Sequence, residues 1–357
     1  MAETAFGVVN LNDVTPLQAL LNLVEFGGQL TDLCQSRWKW GCPEEVQVRI
    51  LGLQRDRRCT FAVALKTESG CHDMIGKVYT GNRSEVFEVM EKLWRAGFNA
   101  EAEFSIPQPL AYVPSMRLRF EEAVEGRSVR EILLEEGLSK RLTAMQRCGQ
   151  WLARFHATAP RLGRVTDLRE ELLSSRRWAD RLAGLGEPFA GKVEAIFQKL
   201  VEAASELAPI ELRAAHGSYQ PSQVMLAGDR TVVINWDDFT LADPARDVAS
   251  FIVKIQRLAI RHLGDVHALD SAVDTFLWNY VSSGIWEVLA RLPLYRAVWC
   301  LEAANRDLKS QLPQWCERIG IMLDEALRIL SLPDVEQELS LPATPILRLK
   351  HSLGREN

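Results

Sequence analysis

His216, Gly217 and Ser218 open a polar loop that runs Tyr219-Gln220-Pro221-Ser222-Gln223 into a short apolar stretch. The chain turns at Ala227-Gly-Asp-Arg230 and returns through Thr-Val-Val-Ile234 into Asn235-Trp236-Asp237-Asp238, with Asp243-Pro244-Ala-Arg-Asp247 close behind. Carboxylates, carboxamides, a histidine and a hydroxyl grouped so closely are the side chains that orient or accept a proton and hold a hard cation through oxygen. The β-branched run and the Gly-Asp turn predict two short strands, so these groups sit on a loop and at a strand end. No Ser/His/Asp triad spacing, His-Glu-x-x-His, P-loop or Gly-x-Gly-x-x-Gly motif accompanies them.

Other elements must position this stretch. Val46–Leu53, Cys59–Lys66 and Asp73–Tyr79 are β-rich runs separated by polar turns, consistent with antiparallel hairpins. A helix is predicted from about Ser84 to Ala96, with Val86, Phe87, Met90, Leu93 and Trp94 on one face and Gly97 as its stop. Pro107 and Pro109 mark a loop, and Arg117–Val124 reads as another strand. From Gly126 helices dominate. Ser128 can cap one through Glu136, 145–156 is amphipathic, two charged helices fill 165–207, and four more are expected near 245–262, 268–282, 285–308 and 312–331. An N-terminal helical extension, with Thr15 capping a helix at 16–34, precedes them. The expected division is 1–45 extension, 46–118 small sheet lobe, 119–127 hinge, 128–333 helical lobe and 334–357 tail.

Composition limits the function classes. The 357 residues are 47% hydrophobic and 25% charged, ordinary for a globular chain with room for two cores. A net charge of −5 leaves no basic excess to neutralise nucleic-acid phosphates. The basic run Gln54-Arg-Asp-Arg-Arg58 reads as a solvated face. No apolar stretch reaches the ~18–20 residues of a membrane span, and the first residues lack a basic leader segment. Seven cysteines without a Cys-x-x-Cys pair read as reduced, mostly core thiols. A cytoplasmic protein without nucleic-acid or membrane partners is expected.

The stretch 214–250 resembles the catalytic core of the aminoglycoside phosphotransferase and choline kinase-like family. In that family the loop reads His-Gly-Asp, with Asn five residues later, and the second strand ends in Asp-Trp or Asp-Phe. Ile75-Gly-Lys77, the helix at 84–96, Glu121-Glu-Ala-Val-Glu-Gly126 and Trp151-Leu-Ala-Arg-Phe-His156 extend the likeness from about residue 46 to 330. The resemblance implies an α+β, bilobal, protein-kinase-like fold with a small antiparallel-sheet N-lobe and a larger helical C-lobe. It also implies ATP and Mg²⁺ as cofactors if the protein is active. Lys77 would grip the nucleotide phosphates, with Lys66 as its rival, and Glu85 or Glu88 would pair with it. His216 and Asp247 would brace the loop, with general-base work by His216 the thinner option.

The departures are as informative as the matches. Ser218 stands at the catalytic Asp position, and losing a general base typically costs ~10²–10⁴-fold in rate. Gln223 replaces the metal-binding Asn, and Asn235 replaces the acidic Mg²⁺ ligand and brings no charge. Asp237 shares a strand face with Asn235 but lies roughly 6–7 Å further along, while Asp238 faces away. The expectation is a catalytically impaired relative, a pseudokinase with weak or vestigial ATP binding and a regulatory or scaffolding role toward a protein partner. The alternative is an active ATP/Mg-dependent phosphotransferase on a small hydroxylated molecule such as an aminoglycoside, amino alcohol or sugar; nucleotidyl transfer has no positive sign. Asp265, Glu287, Glu302 and Asp307 are candidates for recognising a cationic acceptor.

Overall fold

The computed structural model describes residues 23–54 and 58–331. The expected cap at Thr15 and the tail beyond 333 lie outside the described residues. The described residues divide into two compact units, one within 23–126 with 225–237 and one of 127–224 with 238–331.

The first unit is built on a five-stranded antiparallel sheet in the order β1-β2-β3-β6-β5, from β1 (Pro43–Gln54), β2 (Arg58–Thr67), β3 (Gly70–Tyr79), β5 (Pro109–Val113) and β6 (Leu118–Glu122). The period-2 pattern decides its faces. Cys59, Phe61, Val63 and Leu65 of β2, Met74 and Val78 of β3, and Leu118 and Phe120 of β6 bury on one side, together with Phe26 and Leu30 of helix α1 (Leu23–Asp32). Gly76 is required on that side, because a Cβ there would overlap the Phe61 ring. The other face therefore carries Thr60, Ala62, Ile75, Lys77, Tyr79, Arg119 and Glu121, with Lys77 opposite both Thr60 and Arg119. Helix α2 (Ser84–Arg95) buries Val86, Phe87, Val89, Met90 and Leu93, and Gly97 at φ 99° follows its end. Arg230–Val233 lies parallel to β4 (Phe104–Ser105) and beside Val224–Ala227, so the predicted hairpin is present.

The stretch Pro109–Val113, read as part of a loop, is instead strand β5. Pro109 opens the strand, where a missing N–H is tolerated.

The second unit is helical. Ser128 caps α3 (Val129–Glu135) in a full capping box with Glu131. It is followed by α4 (Leu138–Thr158), α5 (Leu168–Ala183), α6 (Phe189–Glu206), α7 (Ala245–Leu263), α8 (Asp270–Val281), α9 (Leu292–Ser310) and α10 (Trp315–Ile329). Central α9 packs on α10, α7 and α5, and α4 packs on α8. The helix expected from 285 begins only at Leu292. Pro293 is tolerated only in a first turn, so 286–288 forms a separate 3₁₀ turn. Among the described residues no helix is long and apolar enough to cross a membrane.

Candidate functional site

The residues singled out in the sequence fall into both units. Lys77, Glu85, Glu88, Asn235 and Asp237 belong to the first, and His216, Ser218 and Gln223 to the second.

In the first unit Lys77 is buried and its Nζ lies 3.1 Å from Glu121 Oε1. The expected pairing with Glu85 or Glu88 is corrected by this contact. Glu88 is exposed, and Glu85 is exposed and bonds Arg83 at 2.7 Å. The physical reason is register: Glu121 projects from the strand beside β3 on the same face as Lys77, whereas α2 spends its buried face on apolar packing. Arg119, fully buried, bridges Glu121 Oε2 at 3.1 Å and Asp237 Oδ1 at 3.3 Å. Burial lowers the Lys77 pKa to about 8, with Glu121 opposing and Arg119 and Arg58 adding to the fall. Burial pushes the Glu121 carboxyl up, but Lys77 and Arg119 outweigh it and hold the group below its usual value.

Asn235 and Asp237 meet a guanidinium. Arg58 Nη1 donates to Asn235 Oδ1 at 2.8 Å, and Arg58 also forms an ion pair with Asp237. Tyr79 OH donates to Asp237 Oδ1 at 2.7 Å, and Arg83 bonds the Asp237 carbonyl. Arg58, read with its neighbours as a solvated face, is thus a half-buried member of the site; the correction follows from its place at the start of β2. Asn235 adopts φ 71°, a left-handed conformation in which Asn and Asp are enriched. The alternation Leu118-Arg-Phe-Glu could have revealed Arg119 and Glu121 as residues of the Lys77 face; nothing local in the sequence marked Arg58.

A cavity of about 760 Å³ lies on this unit, lined by Leu51, Ala62, Ala64, Asp73 and Ile75 among others, and by Val124. Its size is within the range of small-ligand pockets, and Ala62 and Ile75 share the Lys77 face.

In the second unit the His216–Ser218 loop is held by the start of α7. Asp247 accepts from the backbone N–H of His216 at 2.6 Å and of Gly217 at 3.0 Å, and lies 3.4 Å from His156 Nε2. Burial pushes the Asp247 carboxyl up, but the hydrogen bond and charge of His156, with His216 and Arg246, hold it below the ordinary value. The His216 ring accepts from Ser218 N–H through Nδ1 at 3.4 Å. Gly217 is at φ 82°, and a Cβ there would overlap the Asp238 carbonyl. Arg246 Nη1 donates to Gly217 O at 2.8 Å and pairs with Glu171. Ser218 Oγ and Gln223 Oε1 are buried with no hydrogen-bond partner among the described residues.

These donors do not suit magnesium. Among the described residues no group of three or more His, Cys, Asp or Glu side chains converges. The oxygens of Asn235 and Asp237 already face Arg58, whose charge would repel a second cation.

Sheet, helices and loop define a protein-kinase-like phosphotransferase fold, which solved structures share. A choline/ethanolamine kinase family protein from Mesorhizobium loti aligns at TM-score 0.58 and 13% identity, over 87% of this chain and 97% of its own. A thermostable mutant of aminoglycoside phosphotransferase APH(4)-Ia, in a ternary complex with ADP and hygromycin B, aligns at 0.55 and 13% over 82% and 95%. Amicoumacin kinase in complex with AMP-PNP and Ca²⁺ aligns at 0.57 and 13% over 80% and 89%. No curated protein matches the chain in sequence. A sequence model of the phosphotransferase enzyme family matches residues 65–259, more than half of the chain, and the chain belongs to that family.

Proposed function

We propose that this protein is a catalytically impaired member of its family, a pseudokinase that holds a nucleotide weakly and without magnesium and serves a regulatory or scaffolding role. The observation that carries this reading is Arg58 bonded to Asn235 and paired with Asp237: a guanidinium stands where a functioning relative would hold its metal. The nucleobase would occupy the cavity lined by Leu51, Ala62, Ile75 and Val124, and its phosphates would meet Lys77 and Arg58, with the buried Arg119 adding charge from behind. Those cations exceed the acids Glu121 and Asp237 around them, so an anion is favoured there. Ser218 supplies no base, so an acceptor hydroxyl would keep its proton. The nucleotides held by neighbours of the same fold, ADP and AMP-PNP, support nucleotide as the ligand class. Seven unpaired cysteines agree with a reducing, cytoplasmic setting.

A second reading rests on the unpartnered Ser218 Oγ and Gln223 Oε1, polar atoms that a substrate could satisfy. It is an active ATP/Mg-dependent phosphotransferase on a small hydroxylated molecule. Thermal shift with ATP, with and without Mg²⁺, separates the two, because a ligand of the folded state raises its apparent stability. Equal shifts and no phosphate transfer are expected. Magnesium-dependent tightening with turnover on an alcohol acceptor would establish the second reading, and no ATP shift in either condition would remove nucleotide from the first.

A further inference from the structure

We infer that the second unit carries an oxyanion pocket beside the His216–Gln223 loop, and that its ligand is a small molecule bearing a phosphate group. The pocket is built wholly from residues of that unit and does not depend on nucleotide binding by the first.

Lys254, Arg257 and Arg261 recur at spacings of three and four on α7, which puts them on one helix face. That face lines an open cleft of about 250 Å³ together with Arg130 of α3, His262, and Gln220 and Ser222 of the loop. Basic residues in a last helical turn are ordinary, since they complement the helix dipole. That explains Arg261 and His262, but neither mid-helix Lys254 nor Arg130 on another helix.

The acids nearby are already shared. Glu302 accepts Lys254 at 2.7 Å and also pairs with Arg306 at 2.5 Å. Asp307 accepts Arg257 at 2.5 Å and faces Arg318 at 3.5 Å. Two carboxylates thus serve four cations. Among the described residues Arg130 hydrogen-bonds the His262 ring alone, Nη2 to Nε2 at 3.3 Å, and exposed Arg261 makes no hydrogen bond or ion pair. Glu302 and Asp307, expected to suit a cationic acceptor, instead hold the basic side chains in place.

A phosphate matches this lining. Its charge offsets the excess, its oxygens suit guanidinium forks, and the Ser222 hydroxyl and Gln220 amide can add donors. A volume of about 250 Å³ is below the range of drug-sized pockets, so it admits one phosphoryl group with a small body rather than a whole nucleotide. Gln220 and Ser222 share a loop with Ser218, so the bound anion would steady the segment that carries the family's catalytic position.

Calorimetric titration of the full chain with inorganic phosphate and with a sugar phosphate, at constant ionic strength against chloride, tests this. Saturable binding is expected, tighter for the sugar phosphate if a phosphorylated metabolite is the natural ligand and equal for both if free phosphate is. Arg261→Gln, which removes no hydrogen bond or ion pair among the described residues, should weaken binding at least tenfold, and Arg130→Gln/Arg261→Gln should abolish binding at this site. Lys92→Gln, the same charge change on the exposed side of α2 in the first unit, should leave it intact. The inference falls if chloride competes as well as phosphate, if the double variant binds phosphate as tightly as the parent, or if Lys92→Gln weakens binding equally.

Discussion

Arg58 Nη1 and Asn235 Oδ1, 177 residues apart in the chain, lie 2.8 Å from each other at the start of β2 and the end of the strand Arg230–Val233. A fixed cation thereby satisfies the amide at the position that we propose corresponds to the family's metal-binding acid. Arg58→Gln should lower stability by about 2 kcal/mol, the cost of a hydrogen bond to a charged group, as measured by urea denaturation. Added to Ser218→Asp and Asn235→Asp, the same change should make ATP binding respond to Mg²⁺. The φ of Asn235 suits aspartate, so the backbone does not stand in the way. Continued indifference to Mg²⁺ in the triple variant would mean that Arg58 is not what excludes the ion.

Lys77 makes anion binding pH-dependent. Its pKa in the free protein is about 8, below the ordinary lysine value. A polyphosphate beside it favours the charged form and raises that value. ATP affinity should therefore fall as pH rises from 7 to 9, with net proton uptake on binding at pH 8. Calorimetry at pH 8 in two buffers of different ionisation enthalpy reads the uptake directly. A flat profile would place the phosphates away from Lys77.

Asp247 ties α7 to the His216–Ser218 loop through two backbone N–H groups. Asp247→Ala would leave both donors buried without an acceptor, at roughly 1–3 kcal/mol each, so a loss of about 3 kcal/mol or more is expected on denaturant unfolding. Because the folded-state pKa is depressed, the stability Asp247 contributes is present above the unfolded carboxylate value and is lost as pH falls through its folded value. The alanine variant should thus show a weaker loss of stability on acidification than the parent.

Gly76 faces the Phe61 ring across the β2–β3 pair. Gly76→Ala should cost about 1–3 kcal/mol through overpacking, and Phe61→Leu should recover part of that loss in the double variant. An additive double variant would show that the ring is not the obstacle.

Much of the architecture was legible in local chemistry. The β-rich runs that became β2 and β3 marked strands, Ser128 marked a helix start, and Gly97 an end; the sheet faces and Glu131's part in the cap belong to the structure. The loop at 216–218, the strands after it and the acid that braces them follow from motif and order along the chain. Strand β5 is not legible locally, because Pro107 before it and Pro109 at its start read as loop punctuation and its pairing with β6 is a long-range fact. The late start of α9 was legible in principle, since Pro293 is compatible only with a first turn.

Sequence alone determined that serine stands at 218 and asparagine at 235, where the family resemblance leads one to expect acids, because residue type needs no coordinates. Tertiary structure decided which groups meet which. Glu121 rather than Glu85 or Glu88 meets Lys77, and Arg58 reaches Asn235 and Asp237, because strand register and a hairpin closed from the far side of the chain set those neighbours. Charges act over a few ångströms of space, and separation along the chain carries no information about that distance.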